Sequence, residues 1–299
     1  MIDEAYRIGQ HAVAVEEDGS LLVTVRGGPN QPTDLPLLPL PLQSEMEQEA
    51  VSHVPPPPVP AEPKSIVTWG DQGDTGSLSY EVQGFQHTTG KCRVLERDFL
   101  VIPNAIPFIM EQLGQAASEL GCWTKPTVAR ESGVEQDYAF RDCLAMGVNQ
   151  STSPKLAPFA RVLEELEPLW IMAYQALVNR HMAVNRGGGW ELLRYSTGHF
   201  FREHVDAIHD HSPLGARRLT MICFSASEDI LGGEFIVPRH GIKITPRGAI
   251  STQNEDGSWT LVVEASPGTL IGFPGTCSFP HEATKVLSGQ KSSLVSFFS

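Results

Sequence analysis

The chain has 299 residues, of which 41% are hydrophobic and 19% charged, an ordinary composition for a globular protein. Its length is sufficient for one good-sized core, with or without an extension. The net charge of −13 argues against nucleic acid and acidic membrane surfaces as main partners, because both are bound by basic patches. The 27 glycines and 23 prolines favour a strand-rich, turn-rich architecture over a helical bundle.

The N-terminus and the cysteines predict a soluble cytoplasmic protein. The first residues are acidic and lack the apolar run of a signal peptide. No stretch reaches the ~20 apolar residues that cross a bilayer. The five cysteines are widely spaced and form no C-x-x-C pair, which indicates neither a zinc ribbon nor a dithiol redox site.

The first 64 residues predict an extension that precedes the main domain. Strand patterns at residues 12–15 and 21–25 flank a turn around Asp18-Gly19, which predicts a hairpin. Residues 29–63 then hold 11 of the 23 prolines, so this stretch should be an extended linker or surface strap. We place the extension at residues 1–64 and the main domain at residues 65–299.

Two amphipathic segments predict helices that support a sheet. Between residues 107 and 121 apolar residues recur at spacings of three and four, and Gly121 suits the C-terminal stop. A second segment, residues 156–181, has a longer apolar stripe and an expected kink at Pro168. Both stripes are typical of core-facing helices rather than of cofactor sites.

After the glycines at 187–189, short apolar segments alternate with turn residues. The predicted strands are residues 191–195, 218–224, 233–237, 242–245, 258–264, 269–273 and 292–298. Closely spaced strands preceded by helices predict a mainly β fold, a sandwich or barrel braced by supporting helices.

The strand-rich half contains a histidine and an aspartate at metal-ligand spacing. His204 and Asp206 are two residues apart, so their side chains lie on the same side of an extended segment. His281, which follows a buried-strand pattern, is the candidate third ligand. Two imidazoles and one carboxylate leave open metal positions, as non-haem iron(II) oxygenases require.

Lys291 is the candidate cation for an anionic co-substrate. If Lys291 and His281 stand on neighbouring antiparallel strands, both can point into one cavity, with a dicarboxylate between the lysine and the metal. Burying this lysine without an anion would be costly. A surface lysine is the alternative.

These residues belong to a longer ordered set. Its members are Leu-Arg-Tyr at 193–195, Phe-Phe-Arg-Glu-His-Val-Asp at 200–206, Arg-Leu-Thr at 218–220, Gly-Gly-Glu-Phe at 232–235, Pro-Gly-Thr at 267–269, His281 and Lys291. In this order the sequence resembles the prolyl-4-hydroxylase-like branch of the iron(II)/2-oxoglutarate-dependent dioxygenases. The resemblance covers residues 92–299 and is strongest from residue 191 onward.

The resemblance implies a double-stranded β-helix, the jelly roll that cupins also have. It implies iron(II) at His204, Asp206 and His281, with 2-oxoglutarate and O2 as co-substrates and ascorbate as a reductant. Lys291 would bind the distal carboxylate of 2-oxoglutarate.

Three further residues are implied in the co-substrate pocket. Ser293 would offer a hydroxyl beside Lys291, and Tyr195 would donate a hydrogen bond to 2-oxoglutarate. Thr220 is a weaker candidate for the same pocket. For Tyr195, packing in the core as a strand aromatic is the alternative.

Other polar residues near the motif have simpler explanations. His199, His209 and His211 crowd the same region, and a rival ligand set using His209 or His211 can be drawn. Neither of these two forms an H-x-D or H-x-E pair, so we expect the three histidines at the mouth or in solvent. Arg194, Arg202 and Arg217 could meet an acidic substrate, although a solvated arginine is the default. The Gly232-Gly233 pair indicates a tight strand start where side chains would crowd the barrel.

The sequence therefore predicts an oxidoreductase that hydroxylates, cyclises or desaturates a small molecule, such as an amino acid derivative or secondary metabolite. Peptidyl-prolyl hydroxylation of a protein is one alternative. A cupin-like metalloenzyme that does not use 2-oxoglutarate is another. A scaffold protein with an inactive barrel, acting through its proline-rich segment, is a third.

Overall fold

The computed structural model describes residues 76–82, 85–96, 98–130, 133–149, 151–178, 184, 189–207, 217–276 and 278–299, together with the backbone of four short strands before residue 69. The proline-rich segment at 29–63 and the turn around Asp18-Gly19 lie outside the described residues.

The first part of the chain forms one antiparallel meander. Its strands are β1 (Tyr6–Ile8), β2 (His11–Val15), β3 (Leu21–Val25), β4 (Lys64–Thr68), β5 (Ser77–Val82) and β6 (Phe85–Thr88), in that order across the sheet. β2 pairs antiparallel with β3, as the predicted hairpin requires. β3 pairs with β4, so this sheet joins strands on both sides of the predicted boundary. The division at residue 64 stays a prediction.

Two helices and six strands follow. They are β7 (Arg93–Leu95), β8 (Phe99–Ile102), α1 (Pro107–Leu120), β9 (Val128–Arg130), β10 (Gly133–Glu135), β11 (Arg141–Asp142), β12 (Leu144–Val148) and α2 (Ala157–Val178). Both predicted helices are confirmed. α1 stops at Gly121, whose φ of 64° is left-handed and whose N–H donates to the carbonyl of Ala117. α2 keeps Pro168 inside one helix.

None of the helices among the described residues is both long enough and apolar enough to cross a membrane.

The second half consists of strands and one 3-10 turn, Pro238–His240. The strands are β13 (Trp190–Ser196), β14 (Phe200–His204), β15 (Leu219–Ala226), β16 (Leu231–Gly232), β17 (Phe235–Val237), β18 (Ile242–Ile244), β19 (Ile250–Gln253), β20 (Trp259–Val263), β21 (Leu270–Pro274), β22 (His281–Ala283), β23 (Val286–Ser288) and β24 (Gln290–Phe298). The seven predicted strands are all present, with ends within two residues of the prediction.

Two seven-stranded sheets form the main domain. The helix-side sheet has the order β12-β13-β24-β15-β21-β8-β7, and the outer sheet has the order β11-β14-β22-β17-β18-β19-β20. Phe224 of the helix-side sheet meets Phe235 of the outer sheet with ring centroids 5.7 Å apart. The chain is therefore mainly β with supporting helices, and its fold is the predicted jelly roll.

The helix-side sheet is covered on both faces, which explains its nearly continuous apolar strands. On one face, Leu192, Met221 and Leu294 pack with α1 and α2. On the other face, Leu193 and Ile222 join the barrel interior, the core between the two sheets. The candidate site lies in this barrel interior.

Candidate metal centre

Two short strands of the outer sheet bring the predicted ligands together. β14 pairs antiparallel with β22, and His204 lies directly opposite His281. Asp206 follows two residues later, and its Oδ1 lies 3.8 Å from Nε2 of His204 and 3.7 Å from Nε2 of His281. Among the described residues, these three form the group of potential ligands, with donor atoms within 4.8 Å of one another.

A backbone carbonyl orients each imidazole. Nδ1 of His204 lies 2.8 Å from the carbonyl oxygen of Arg202, and Nδ1 of His281 lies 2.9 Å from that of Phe279. Because a carbonyl can only accept, each Nδ1–H donates. The neutral tautomer then has its lone pair on Nε2, the atom turned toward Asp206, which is the form that binds a metal.

The carboxylate of Asp206 is held by Thr220. The hydroxyl of Thr220 donates to Oδ2 of Asp206 at 2.7 Å. This bond occupies Oδ2 and leaves Oδ1 facing the two imidazoles. Nη1 of Arg217 donates to the backbone carbonyl of Asp206 at 3.3 Å. The structure thus places Thr220 behind a ligand, and its predicted role in the co-substrate pocket stays a prediction.

Aromatic rings enclose the two imidazoles. The ring of Phe201 stacks on His204 with centroids 3.6 Å apart, and Phe235 lies 5.0 Å from His281. Burial lowers the pKa of His204 to about 3, and neighbouring His281 acts in the same direction. His204 is therefore neutral near pH 7, as metal binding requires.

The donor set suits iron(II). Two imidazole nitrogens and one carboxylate oxygen that share one side of a metal leave several positions for other ligands, the arrangement of non-haem iron oxygenases. The carbonyl bonds behind both histidines and the Thr220 bond behind Asp206 supply the outer shell that such sites require.

Lys291 is a buried cation that faces the same interior. Its side chain is 2% exposed, its Nζ donates to the carbonyl of Gly233 at 2.6 Å, and this Nζ lies 4.6 Å from the ring centroid of Tyr195. Burial lowers the pKa of Lys291 to about 7, while Glu234 acts to raise it. Among the described residues the carbonyl of Gly233 is the acceptor for this buried ammonium, which is therefore suited to receive an anion as well.

Lys291 and His281 do not stand on neighbouring strands. Lys291 is on β24 between β13 and β15, whereas His281 is on β22 between β14 and β17. The side chain of Lys291 extends from the helix-side sheet across the barrel interior to the carbonyl of Gly233, just before β17 of the outer sheet. The two residues were expected to share a cavity if they stood on neighbouring antiparallel strands, and they do not. Both side chains nevertheless face the barrel interior.

Tyr195 and Ser293 also lie in this part of the interior. Tyr195 is paired with Lys291 across β13 and β24 and is 3% exposed. Burial raises the pKa of Tyr195, and the Cys143 thiol acts in the same direction. Ser293 is 5% exposed and follows Lys291 by two residues on β24, so both point to one face.

Arg141 is a residue of this site that the sequence argument missed. Its Cζ lies 4.7 Å from the ring centroid of Phe201, the ring that stacks on His204. Its Nη2 lies 3.7 Å from Oε2 of Glu191, and its buried Nε has no hydrogen-bond partner among the described residues. The sequence signal was slight, because Arg141 belongs to a two-residue strand far from the H-x-D motif.

The remaining predicted polar residues lie elsewhere. Nδ1 of His199 accepts from the N–H of Ser196 at 3.2 Å within a turn. Arg194 stacks on Trp123 on the helix face of β13, and Arg202 is exposed. His209 and His211 lie outside the described residues, so the rival ligand set stays a prediction.

The glycine pair at the end of β16, just before β17, has the predicted packing role. Gly233 has a φ of 76°, and a Cβ added there would lie 2.9 Å from Cγ2 of Val286 and 3.4 Å from Cδ of Lys291. At Gly232 an added Cβ would lie 2.3 Å from the carbonyl oxygen of Lys285. Side chains would crowd the barrel at both positions.

Comparison with known proteins bears on the same half of the chain. Residues 190–299 match the family model described as 2OG-Fe(II) oxygenase superfamily. No curated protein sequence matches the chain.

Solved structures with a similar arrangement include three prolyl hydroxylases. A Pseudomonas putida prolyl-4-hydroxylase is 15% identical, covering 67% of this chain and 91% of that chain, with a TM-score of 0.43. A Trichoplax adhaerens prolyl hydroxylase, solved with a hypoxia inducible factor peptide fragment, is 13% identical over 68% of this chain and 84% of that chain, with a TM-score of 0.47. The viral collagen prolyl hydroxylase of Paramecium Bursaria Chlorella virus-1 is 14% identical over 67% and 94%, with a TM-score of 0.44.

The matched segment contains all three clustered ligands and Lys291. It therefore favours an enzyme that uses iron(II), 2-oxoglutarate and O2 over the cupin-like and scaffold alternatives. Residues 190–299, which contain this ligand cluster, are thus similar to the 2OG-Fe(II) oxygenase superfamily.

Proposed function

We propose that this oxygenase hydroxylates a small molecule at an unactivated C–H bond, with iron(II) at His204, Asp206 and His281. The observation that carries the proposal is the ligand cluster itself, with Nε2 of both histidines turned toward Oδ1 of Asp206 inside a buried cage. When bound, iron(II) supplies the activation of O2 for the reaction. Substrate, 2-oxoglutarate and O2 give the alcohol, succinate and carbon dioxide, so that one oxygen atom enters each organic product.

Lys291 binds the distal carboxylate of 2-oxoglutarate in this proposal. Its Nζ is buried and is held by one carbonyl, that of Gly233, so that a carboxylate would complete its hydrogen bonding. Ser293 and Tyr195 line the same face and can offer hydroxyl groups to the co-substrate.

The other residues orient and shield the reacting groups. Thr220 holds the carboxylate of Asp206, and the carbonyls of Arg202 and Phe279 hold the imidazoles. The rings of Phe201 and Phe235 exclude water from the two histidines. A fixed, dry site keeps the target C–H bond and the oxidant together and suppresses side reactions.

The test is substrate-stimulated turnover. The purified chain with iron(II), ascorbate, 2-oxoglutarate and O2 would be screened against small-molecule pools and, separately, against proline-containing peptides. We expect a small molecule to stimulate succinate release and to gain one oxygen atom by mass spectrometry, with Asp206→Ala inactive. Stimulation by peptides alone would move the assignment to peptidyl-prolyl hydroxylation. Release of succinate that persists in Asp206→Ala would contradict the metal assignment.

A further inference from the structure

Two arginines converge on the rim of the metal centre. The guanidinium of Arg141 covers Phe201, which stacks on His204. The guanidinium of Arg217 lies 3.7 Å from the ring centroid of Phe297 and donates to the carbonyl of Asp206. Arg141 is thus one group removed from a proposed metal ligand, and Arg217 contacts the backbone of another directly.

The aromatic rings hold both guanidiniums flat and leave their edges as hydrogen-bond donors. Stacking satisfies the face of a guanidinium but none of its five N–H groups. Nε of Arg141 is buried and has no hydrogen-bond partner in the part of the chain that the structure describes. Nη1 of Arg141 donates to the carbonyl of Thr127 at 3.4 Å, and the Cys143 thiol lies beside the guanidinium. Nη2 has a loose ion pair at 3.7 Å with Glu191, whose side chain is 41% exposed.

The charges at this rim do not balance. Among the described carboxylates, the negative charge of Glu191 acts to raise the pKa of both arginines, and that of Asp206 acts to raise the pKa of Arg217. Asp206 is committed to the metal in the proposed function. Arg141, Arg217 and Glu191 then leave one positive charge over, in a partly buried place where an unpaired charge is costly.

We propose that Arg141, assisted by Arg217, forms a subsite for a carboxylate of the primary substrate, so that the enzyme acts on an acidic small molecule. This inference rests on the proposed function, because it assigns the substrate class of the same site. The substrate carboxylate accepts hydrogen bonds from the edge of Arg141 formed by Nε and Nη2. Its negative charge balances the positive charge left by Arg141, Arg217 and Glu191. A planar guanidinium gives such a contact its geometry as well as its energy.

Arg194 shares the stacked ring and has a buried Nε without a hydrogen-bond partner among the described residues, but it does not lie at the rim. Arg194 is on the helix face of β13 and stacks on Trp123, which places it behind the sheet. Arg218 is exposed beside Arg217. Arg218→Gln is therefore a matched control, because it removes the same charge at the neighbouring position without touching the rim.

The test measures binding rather than turnover. The full-length chain would be loaded with zinc(II), a redox-inert stand-in, and 2-oxoglutarate. The probes are the N-acetyl derivatives of the common amino acids, each as the free acid and as the primary amide, followed by saturation-transfer NMR. Because a charge-assisted bond exceeds a neutral one, we expect at least one acid to bind about tenfold more tightly than its amide.

Variants assign the preference to the rim. In Arg141→Gln the ratio of the affinity for the acid to the affinity for its amide should fall to near one, while in Arg218→Gln this ratio should be unchanged. Arg141→Lys, which retains the charge without the fork, should show an intermediate ratio and guards against misfolding of the glutamine variant. The dissociation constant of 2-oxoglutarate should be unchanged in all three.

The outcomes separate the two proposals. If 2-oxoglutarate binds but no acid outperforms its amide, or if the preference survives in Arg141→Gln, the carboxylate subsite is wrong and the proposed function stands. If Arg141→Gln weakens 2-oxoglutarate and keeps the acid preference, Arg141 serves the co-substrate and the subsite is again wrong. If 2-oxoglutarate fails to bind the wild-type chain, the proposed function is wrong and the subsite falls with it.

Discussion

At the scale of single residues, the side chain of each proposed metal ligand is held by one hydrogen bond on the side away from the metal. Thr220 donates to Oδ2 of Asp206 at 2.7 Å, and this bond decides which carboxylate oxygen faces the imidazoles. Outer-shell bonds of this kind typically change metal affinity by about 10–100-fold. Thr220 is therefore a positioning residue for the site.

Thr220→Val should weaken iron(II) binding by about 10–100-fold, because the isosteric side chain keeps the packing and removes the donor. Thr220→Ser restores the hydroxyl and should recover most of the affinity. The dissociation constant of iron(II), measured anaerobically, is the readout, with the thermal midpoint as the folding control. Equal losses in both variants would indicate a packing role instead.

Lys291→Met should weaken 2-oxoglutarate by at least tenfold, because the distal carboxylate loses a buried charged donor. Lys243→Met is the matched control. Nζ of Lys243 lies 4.5 Å from the ring centroid of Trp259, so both lysines cover an aromatic ring, but Lys243 and Trp259 are not in the barrel interior. Titration calorimetry with 2-oxoglutarate compares the two variants. Comparable weakening in both would contradict the role of Lys291.

The same lysine gives the binding of 2-oxoglutarate a pH dependence. Burial lowers the pKa of Lys291 to about 7, and a bound carboxylate must raise it, because an opposite charge favours the ammonium. Below pH 7 the lysine is already charged and binding takes up no proton. Above pH 7 binding takes up a proton, so affinity should fall by about tenfold per pH unit until the pKa of the complex is reached.

Calorimetry at pH 8 in buffers of different ionisation enthalpy would count the protons taken up. We expect uptake to approach one proton per 2-oxoglutarate and to vanish in Lys291→Met. A pH-independent affinity between pH 6 and pH 9 would show that Lys291 stays charged without its ligand.

At the scale of elements, the link between β16 and β17 lies against Lys291, the residue proposed to bind 2-oxoglutarate. Gly233→Ala should lower the thermal midpoint and weaken 2-oxoglutarate, because its Cβ would lie 2.9 Å from Val286 and 3.4 Å from Lys291. Gly257→Ala is the control, since Gly257 has a similar φ of 82° with nothing within 4 Å of an added Cβ. Any excess loss at Gly233 then measures crowding rather than backbone strain. Equal thermal midpoints in the two variants would contradict the crowding.

In the second half of the chain, most of the long strands could be predicted from the sequence and most of the short ones could not. α1, α2 and five of the seven predicted strands have five residues or more, enough for a periodic pattern to show, whereas β17 and β18 have three each. β22 has three residues and β11 has two, so neither shows a period. β22 nevertheless sets His281 opposite His204, and β11 carries Arg141.

The ligands themselves were predicted because their chemistry is local, whereas their surroundings depend on sheet order. His204 and Asp206 share one segment, and His281 and Lys291 were found by their place in an ordered motif. The sequence could not show that Lys291 belongs to the opposite sheet, because strand neighbours in a jelly roll are distant in sequence. For the same reason, Arg141 was missed.

At the scale of the whole molecule, the six-stranded meander contributes to the main core. Leu78, Tyr80 and Val82 of β5 are buried in the same cluster as α1 and α2. Burial of such side chains is worth roughly 1.5–3 kcal/mol each, a sizeable part of a domain's stability of about 5–15 kcal/mol. We propose that the functional boundary lies before β4 and not within the β4–β5 pair.

Two truncated chains test this boundary. A chain beginning at Lys64 should fold and bind 2-oxoglutarate as the full chain does. A chain beginning at Phe85 lacks β5 and should show a lower thermal midpoint or fail to fold. If the shorter chain is as stable as the longer one, β5 is dispensable. Loss of 2-oxoglutarate binding in the longer one would give the first 63 residues a role in the site.

In the proposed function, His204, Asp206 and His281 bind iron(II) together with 2-oxoglutarate. Anaerobic mixing of the chain with both should give the weak visible charge-transfer absorption of a chelated keto acid. We expect the band in the wild-type chain and its loss in both Asp206→Ala and His281→Ala. A wild-type chain that binds iron without this band, or a band that survives in both variants, would contradict the account.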